Sequence, residues 1–248
     1  MRKSAIFLFF VTFCLTILGL SAQEGIAVPP QTARTKVKTE EKQKTEDSKQ
    51  RPVAKSKVYL LHSDLLRKDA THPDAQIVTG NVRFRHDSVY MYCDSACYYD
   101  KVSSFEAFGN VKMVQGDTLF LYGDRLYYDG LTQIAEMRCN VRMENRTTTL
   151  LTDSLNYDRV YNLGYFFDGG TLMDKQNVLT SEWGEYSPQT KQSVFNYNVK
   201  LVNPQFTLTS DTLRYNTASK IADIVGPSDI WSDANHIYSE KGTYNAVT

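Results

Sequence analysis

The stretch Gly123-Asp-Arg-Leu-Tyr-Tyr-Asp129, followed ten residues on by Cys139-Asn-Val141, decides how this chain is read, because it recurs. An acidic residue with a tyrosine four places later appears as Asp94/Tyr98, Asp124/Tyr128, Asp153/Tyr157, Glu182/Tyr186, Asp211/Tyr215 and Glu240/Tyr244, with Asp64/Lys68 as a degenerate first copy. Successive copies stand 29 or 30 residues apart. A second marker keeps step: Gly80-Asn-Val82, Gly109-Asn-Val111 and Cys139-Asn-Val141, then the looser Gly169-Gly-Thr171, Tyr197-Asn-Val199 and Gly226-Pro-Ser228. A fixed period in this range marks a repeat protein, in which each unit buries its apolar face against its neighbours.

Within a unit the apolar period is two. From Ala135 to Met143 the residues Ala135, Met137, Cys139, Val141 and Met143 alternate with Glu136, Arg138, Asn140 and Arg142, the pattern of a half-buried strand. The same face is apolar in the other copies: Val78, Gly80, Val82 and Phe84; Ala107, Gly109, Val111 and Met113; Phe195, Tyr197, Val199 and Leu201. The second half of each unit is also strand-like, as in Thr118-Leu-Phe-Leu-Tyr122 and Phe206-Thr-Leu-Thr209, which are rich in aromatic and β-branched residues. Beyond the N-terminal apolar run, no segment has a helical period of useful length.

Turn residues such as Asp129-Gly130 and Glu144-Asn-Arg146 join the strands closely, so neighbours run antiparallel. Each strand is expected to span about 11 or 12 residues, roughly 40 Å, which is long for a globular strand and calls for a bend. Leu119 and Leu121 have one parity and Leu126 and Tyr128 the other, which places a bulge or corner at Gly123-Asp124. The acidic side chain is expected to bond backbone groups there. The fold expected is all-β: an elongated β-jelly-roll or flattened β-solenoid of stacked two-strand repeats 29–30 residues long, with about 12 to 14 strands in two facing sheets.

Three regions follow. Arg2 and Lys3 precede an apolar run from Ala5 to Leu20, and Ser21 and Ala22 follow, the order of a secretory signal over residues 1–22. Cleavage near Gln23 is one outcome; retention as an anchor is the other, since the run is only slightly short of the roughly 20 residues of a spanning helix. Residues 23–57 are a charged linker with nine Lys/Arg, five Asp/Glu and almost no large apolar side chains, a composition that reads as disordered tether. Residues 58–248 form the repeat domain, about six and a half units, the last of them stopping inside its first half. That domain carries 17 basic against 23 acidic residues, which argues against a nucleic-acid partner.

Motifs of catalysis are not found. Neighbouring members of the ladder Asp64, Asp94, Asp124, Asp153, Glu182, Asp211, Glu240 would lie two strands apart, about 10 Å, whereas calcium needs six to eight oxygens within about 2.6 Å. Cys93 and Cys97 in one extended strand are about 13 Å apart, too far for a disulfide. These two and Cys139 read as structural cysteines, and no metal or cofactor is implied. Nucleophile elbows, phosphate-binding glycine loops and zinc-binding helix motifs do not occur. A secreted carbohydrate-active enzyme on a β-helix would need acids converging on one face, and one acid per repeat does not supply that.

A secretory signal followed by units of Asp-x-Leu-x-Tyr-Asp, a turn and Ala-x-Gly-Asn-Val resembles the organic-solvent-tolerance A (OstA-like) family of lipopolysaccharide transport proteins. The resemblance rests on Glu106-Ala-Phe-Gly-Asn-Val-Lys112, Gly123-Asp-Arg-Leu-Tyr-Tyr-Asp129 and Thr152-Asp-Ser-Leu-Asn-Tyr-Asp158 and extends over Val58 to Val247. It implies a non-enzymatic periplasmic bridge, possible outer-membrane association, and a groove between two sheets for the lipid A acyl chains of lipopolysaccharide. The inward residues Val78, Val82, Phe84, Ala107, Val111, Met113, Ala135, Met137, Val141, Met143, Phe195, Val199 and Leu201 would then line that groove; without the resemblance they fill a closed core. Other LptA-, LptC- or LptD-like jelly-roll proteins are the implied partners. Tyr59 and Leu61 at one end and Thr243 and Tyr244 at the other fall on edge strands, where head-to-tail pairing with those partners or with a second copy is expected. The rival reading is a secreted β-solenoid scaffold or adhesion module that binds protein or glycan and carries no lipid.

Overall fold

The computed structural model of the 248-residue chain describes residues 56–68, 73–233 and 235–246. The signal and tether expected over residues 1–57 lie outside the described residues except for Ser56 and Lys57. The described residues are all-β: eighteen strands joined in one antiparallel sheet, with a short 3-10 turn at Asp100–Val102. β1 (Tyr59–His62) and β2 (Leu65–Lys68) both pair with β3 (Gln76–His86), one on each half of it. A meander follows through β4 (Val89–Tyr99), β5 (Ser104–Gln115), β6 (Leu119–Asp129), β7 (Ile134–Asn145) and β8 (Thr148–Asp158). β8 then divides its pairing between β9 (Leu163–Phe166) and β10 (Gly170–Asp174). These pass to β12 (Trp183–Tyr186) and β11 (Asn177–Ser181), which meet again on β13 (Gln192–Asn203). β14 (Phe206–Asn216) divides in turn onto β15 (Ile221–Ile224) and β16 (Ser228–Ser232), which pair with β18 (Gly242–Asn245) and β17 (Asn235–Ser239). The expected 12 to 14 strands become eighteen because passes such as β9 and β10 break where the others only bend.

The bend is a crease that runs across each long strand, in line with the breaks between the short ones, and folds the sheet into two facing leaves. At the crease the pairing shifts register, between Thr79 and Val82 in β3, Phe108 and Val111 in β5, Arg138 and Val141 in β7, and Asn196 and Val199 in β13. Each of these strands supplies two consecutive residues in the left-handed region: Gly80 and Asn81 (φ 78° and 48°), Gly109 and Asn110 (73° and 44°), Cys139 and Asn140 (64° and 51°), Tyr197 and Asn198 (65° and 50°). Glycine and asparagine adopt that region with least strain, which is why the motif recurs. The bulged residues therefore sit on the Gly-Asn strand, not at Gly123-Asp124 as the parity of β6 predicts: Phe108 and Val111 of β5 face Arg125 and Gly123 of β6, so two residues oppose one. The middle position of the expected alternation turns outward as a result. Cys139 is exposed and Tyr197 keeps 63% of its surface, because a left-handed pair inverts the side-chain direction that simple alternation assumes.

The acidic ladder meets this crease, and its partners differ from the backbone groups expected. Asn81 Nδ2 donates to Asp64 Oδ2 at 2.9 Å, Asn110 to Asp94 at 2.8 Å and Asn140 to Asp124 at 2.6 Å, and Asn198 does the same to Glu182 Oε1. Asp153 takes a backbone donor, the amide of Asn140, at 3.2 Å. Aspartate and asparagine sixteen or seventeen residues apart are thus one device, pinning each corner to the next pass of chain. The same carboxylates fill the space beside the glycines: a Cβ on Gly109 would stand 2.5 Å from Asp94 Oδ2. The looser fourth marker has a packing reason, since a Cβ on Gly170 would stand 2.6 Å from the buried ring of Phe166.

Candidate functional site

Between the leaves lies one continuous apolar cluster running from Val58 to Ala246. Rings from opposite leaves meet inside it: Phe84 stacks on Phe105 with centroids 4.1 Å apart, and Phe206 meets Tyr244 at 4.3 Å with the ring planes tilted by 54°. All the residues assigned by sequence to the inward face lie in this cluster: Val78, Val82, Phe84, Ala107, Val111, Met113, Ala135, Met137, Val141, Met143, Phe195, Val199 and Leu201 each keep 2% or less of their surface. Their alternation partners Lys112 and Arg142 point to the outer face, where both cations sit over the ring of Tyr122.

The crease closes one long side of this interior. The other long side is where the hairpins of the two leaves approach, and it is closed by polar side chains. His86, Gln115, Asn145, Asp174 and Asn203 each end a strand of one leaf, and they recur at intervals of 29 or 30 residues. Each continues the inward parity of its strand by one more step, so it points across toward the other leaf instead of out to water. His86, Asn145, Asp174 and Asn203 are buried.

Their partners come from the hairpins and motif tyrosines of the second leaf. His86 Nδ1 stands 2.7 Å from the Tyr128 hydroxyl and 3.0 Å from Arg159 Nη1, which also donates to that hydroxyl. An arginine can only donate, so Nδ1 is the acceptor and the imidazole proton lies on Nε2, facing Ser56 Oγ at 2.8 Å. Burial, and then the Arg159 charge, hold the His86 pKa below its ordinary value and keep the ring neutral. At the next rung Gln115 Nε2 donates to Asn162 Oδ1 at 2.9 Å, and the Tyr157 hydroxyl donates to the same oxygen at 3.2 Å. Lys191 Nζ donates to Asn145 Oδ1. Lys220 Nζ then pairs with the wholly buried Asp174, whose Oδ2 also accepts from Tyr215 at 2.9 Å. Asn203 Nδ2 closes the last rung on the Ala246 carbonyl at 3.3 Å. The motif tyrosine thus has a double role: its ring packs in the core and its hydroxyl reaches the seam. Burial pushes the Tyr128 hydroxyl up to about 12, so it stays protonated.

The seam was not read from the sequence, although its signal is there: a polar residue at the position where the inward apolar alternation would continue, repeating with the unit. Of the edge residues, Tyr59 and Leu61 keep 50% and 48% of their surface and Thr243 is exposed, whereas Tyr244 turns inward onto Phe206. β1, β2, β17 and β18 each pair with a strand on one side among the described residues. Cys93 is buried in the core and its thiol is pushed up to about 12 by desolvation, which leaves it unreactive. Among the described residues no three His, Cys, Asp or Glu side chains are placed to hold a metal ion.

This geometry defines a class: a bent-strand β-jelly-roll whose repeats stack an apolar interior between a backbone crease and a polar seam. The chain belongs to the OstA-like protein family, whose sequence profile matches residues 55–211. No curated protein matches the sequence. Among solved structures it is similar to LptH of Pseudomonas aeruginosa, described as the LptA-homologous periplasmic component of that organism's lipopolysaccharide transport device. Identity is 14% and the TM-score 0.37, with 40% of this chain and 76% of that chain covered.

Proposed function

We propose that this protein is a non-enzymatic periplasmic bridge that carries lipopolysaccharide toward the outer membrane with its acyl chains held between the two leaves. The observation that carries this reading is the pairing of an interior that is apolar along the whole stack of repeats with a seam made of side-chain contacts. The crease is continuous backbone and cannot open without breaking strands. The seam is held by side-chain contacts, from neutral hydrogen bonds contributing on the order of 1 kcal/mol to stronger ones from Arg159 and Lys191 and one buried ion pair, and is the side on which the leaves can part. Each methylene that then enters contributes about 0.8 kcal/mol, so a 12-carbon chain offsets several such rungs.

Val111, Met113, Val141 and Met143 are the central groove residues in this reading, and the long unbranched Met113 and Met143 are suited to repack around a flexible chain. The exposed Tyr59, Leu61 and Thr243 lie on the strands that would pair head to tail with a second copy or with another jelly-roll protein. One observation favours the scaffold reading instead: the interior residues are sealed to 2% exposure or less. Mass spectrometry of lipid copurifying with the full-length protein from the periplasm separates the two. Stoichiometric lipopolysaccharide supports the carrier, and lipid-free protein from cells that make lipopolysaccharide contradicts it.

A further inference from the structure

We propose that the seam is itself a binding site, in which Arg159 and Lys191 receive the phosphorylated headgroup of an amphiphile; this rests on the interior being the seat of the acyl chains. The first observation is where unsatisfied polar atoms collect. Buried side-chain atoms without a protein partner among the described residues are Gln115 Oε1, Ser154 Oγ, Arg159 Nε, Asp174 Oδ1 and Tyr186 Oη, and all but Ser154 lie on the seam. The Thr148 and Thr217 side chains stand close to the Tyr186 hydroxyl, and Gln115 close to that of Tyr157. Gln115 Oε1 and Asp174 Oδ1 only accept, so a phosphate cannot serve them, but Arg159 Nε is a buried donor left without an acceptor, which an anion at the seam would supply.

The second observation is charge. Lys220 has a carboxylate, Asp174, and needs nothing more. Arg159 instead faces a neutral imidazole and a phenol, and Lys191 faces the amide of Asn145. Of the acids near Arg159, Asp158 accepts from the amides of Val160 and Tyr161, Asp129 accepts from those of Leu131 and Thr132, and Asp87 stands 3.7 Å from His86 at the exposed hairpin tip. Burial and then the like charge of Arg146 hold the Lys191 pKa down.

The third observation is position. Arg159 and Lys191 sit on adjacent hairpins of the second leaf, β8–β9 and β12–β13, two strands or about 10 Å apart. Both lie at the line where the apolar interior meets water. An amphiphile with its chains between the leaves places its headgroup there. A phosphate presents several acceptor oxygens to the arginine fork, Nε included, and to the lysine.

The test uses the full-length protein and two probes with identical acyl chains: a phosphorylated lipid A and the same glycolipid with its phosphates removed. The wild type is expected to bind the phosphorylated probe more tightly by on the order of tenfold or more. Arg159→Gln with Lys191→Gln should abolish that preference without lowering the affinity for the dephosphorylated probe, since both variants also loosen the seam through which its chains enter. Arg159→Lys alone, which keeps the charge, should retain most of the preference, as should Lys112→Gln on the outer face. Equal affinity of the wild type for both probes, or an equal loss on both in the double variant, would overturn the proposal. So would binding of inorganic phosphate alone as tightly as the phosphorylated probe. A wild type that binds neither probe contradicts the carrier reading itself, and this inference with it.

Discussion

Replacing Lys220 by methionine removes the charge that matches Asp174 while keeping an unbranched apolar stem of similar length. Asp174 is wholly buried, and its Oδ2 accepts from Lys220 and from the Tyr215 hydroxyl, whose own oxygen accepts from Asn177 at 2.9 Å. Without the lysine the carboxylate retains one neutral donor and an Oδ1 that has no protein partner. Breaking one side of a buried ion pair costs about 3–5 kcal/mol, a large part of the roughly 5–15 kcal/mol that stabilises a domain. For a domain of this size the midpoint of thermal unfolding should fall by about 10 °C. Urea unfolding followed by tryptophan fluorescence measures the loss, since Trp183 and Trp231 lie in strands of the same half of the stack. Asp174→Leu together with Lys220→Met replaces the pair by apolar side chains and should recover most of the stability. A single variant within about 1 kcal/mol of wild type, or a double variant no more stable than the single, would refute the reasoning that the pair is buried and mutually dependent.

The seam should also respond to acid through His86. Its pKa is lowered in the folded state, so its contribution is fully present above the unfolded value of about 6.5 and is lost as pH falls below it. Wild type should lose stability from pH 6.5 downward, and His86→Gln should flatten that part of the profile; identical slopes would remove the assignment. Gly109→Ala forces a side chain into a backbone with φ of 73° and against Asp94, and should cost about 1–3 kcal/mol, whereas Gly116→Ala, with open space around it, should cost less. Val141→Asp puts a charge at a position with 2% exposure and should unfold the central units; an unchanged melting curve would show that the strand faces outward.

The period, the parity and the two-leaf arrangement were legible because each is written many times: Val82, Val111, Val141 and Val199 repeat one environment, and all are buried. The corner was half legible. The parity change in β6 located it, but the bulge lies on the partner strand. Nothing in the residues Ala135, Met137, Cys139, Val141 and Met143 says that the third is in a left-handed conformation and faces water. The Asn–acid contacts were missed because they join residues sixteen or seventeen apart on different strands, a pairing that only the register fixes. The seam was missed for a related reason. His86 and Arg159 are 73 residues apart, and they meet only because the sheet folds over on itself. The repeating polar residue at the end of each inward run was visible, but at a strand end it reads as an ordinary turn.

The central claim is that the inward face, and not the outer one, receives lipid. A photo-crosslinking side chain placed in turn at Met113 and Met143, both sealed between the leaves, and at Lys112 and Arg142, their outward neighbours, tests it in cells that make lipopolysaccharide. The account predicts capture of lipopolysaccharide at Met113 and Met143 and none at Lys112 and Arg142. Equal capture at both parities, or capture at neither, would contradict it.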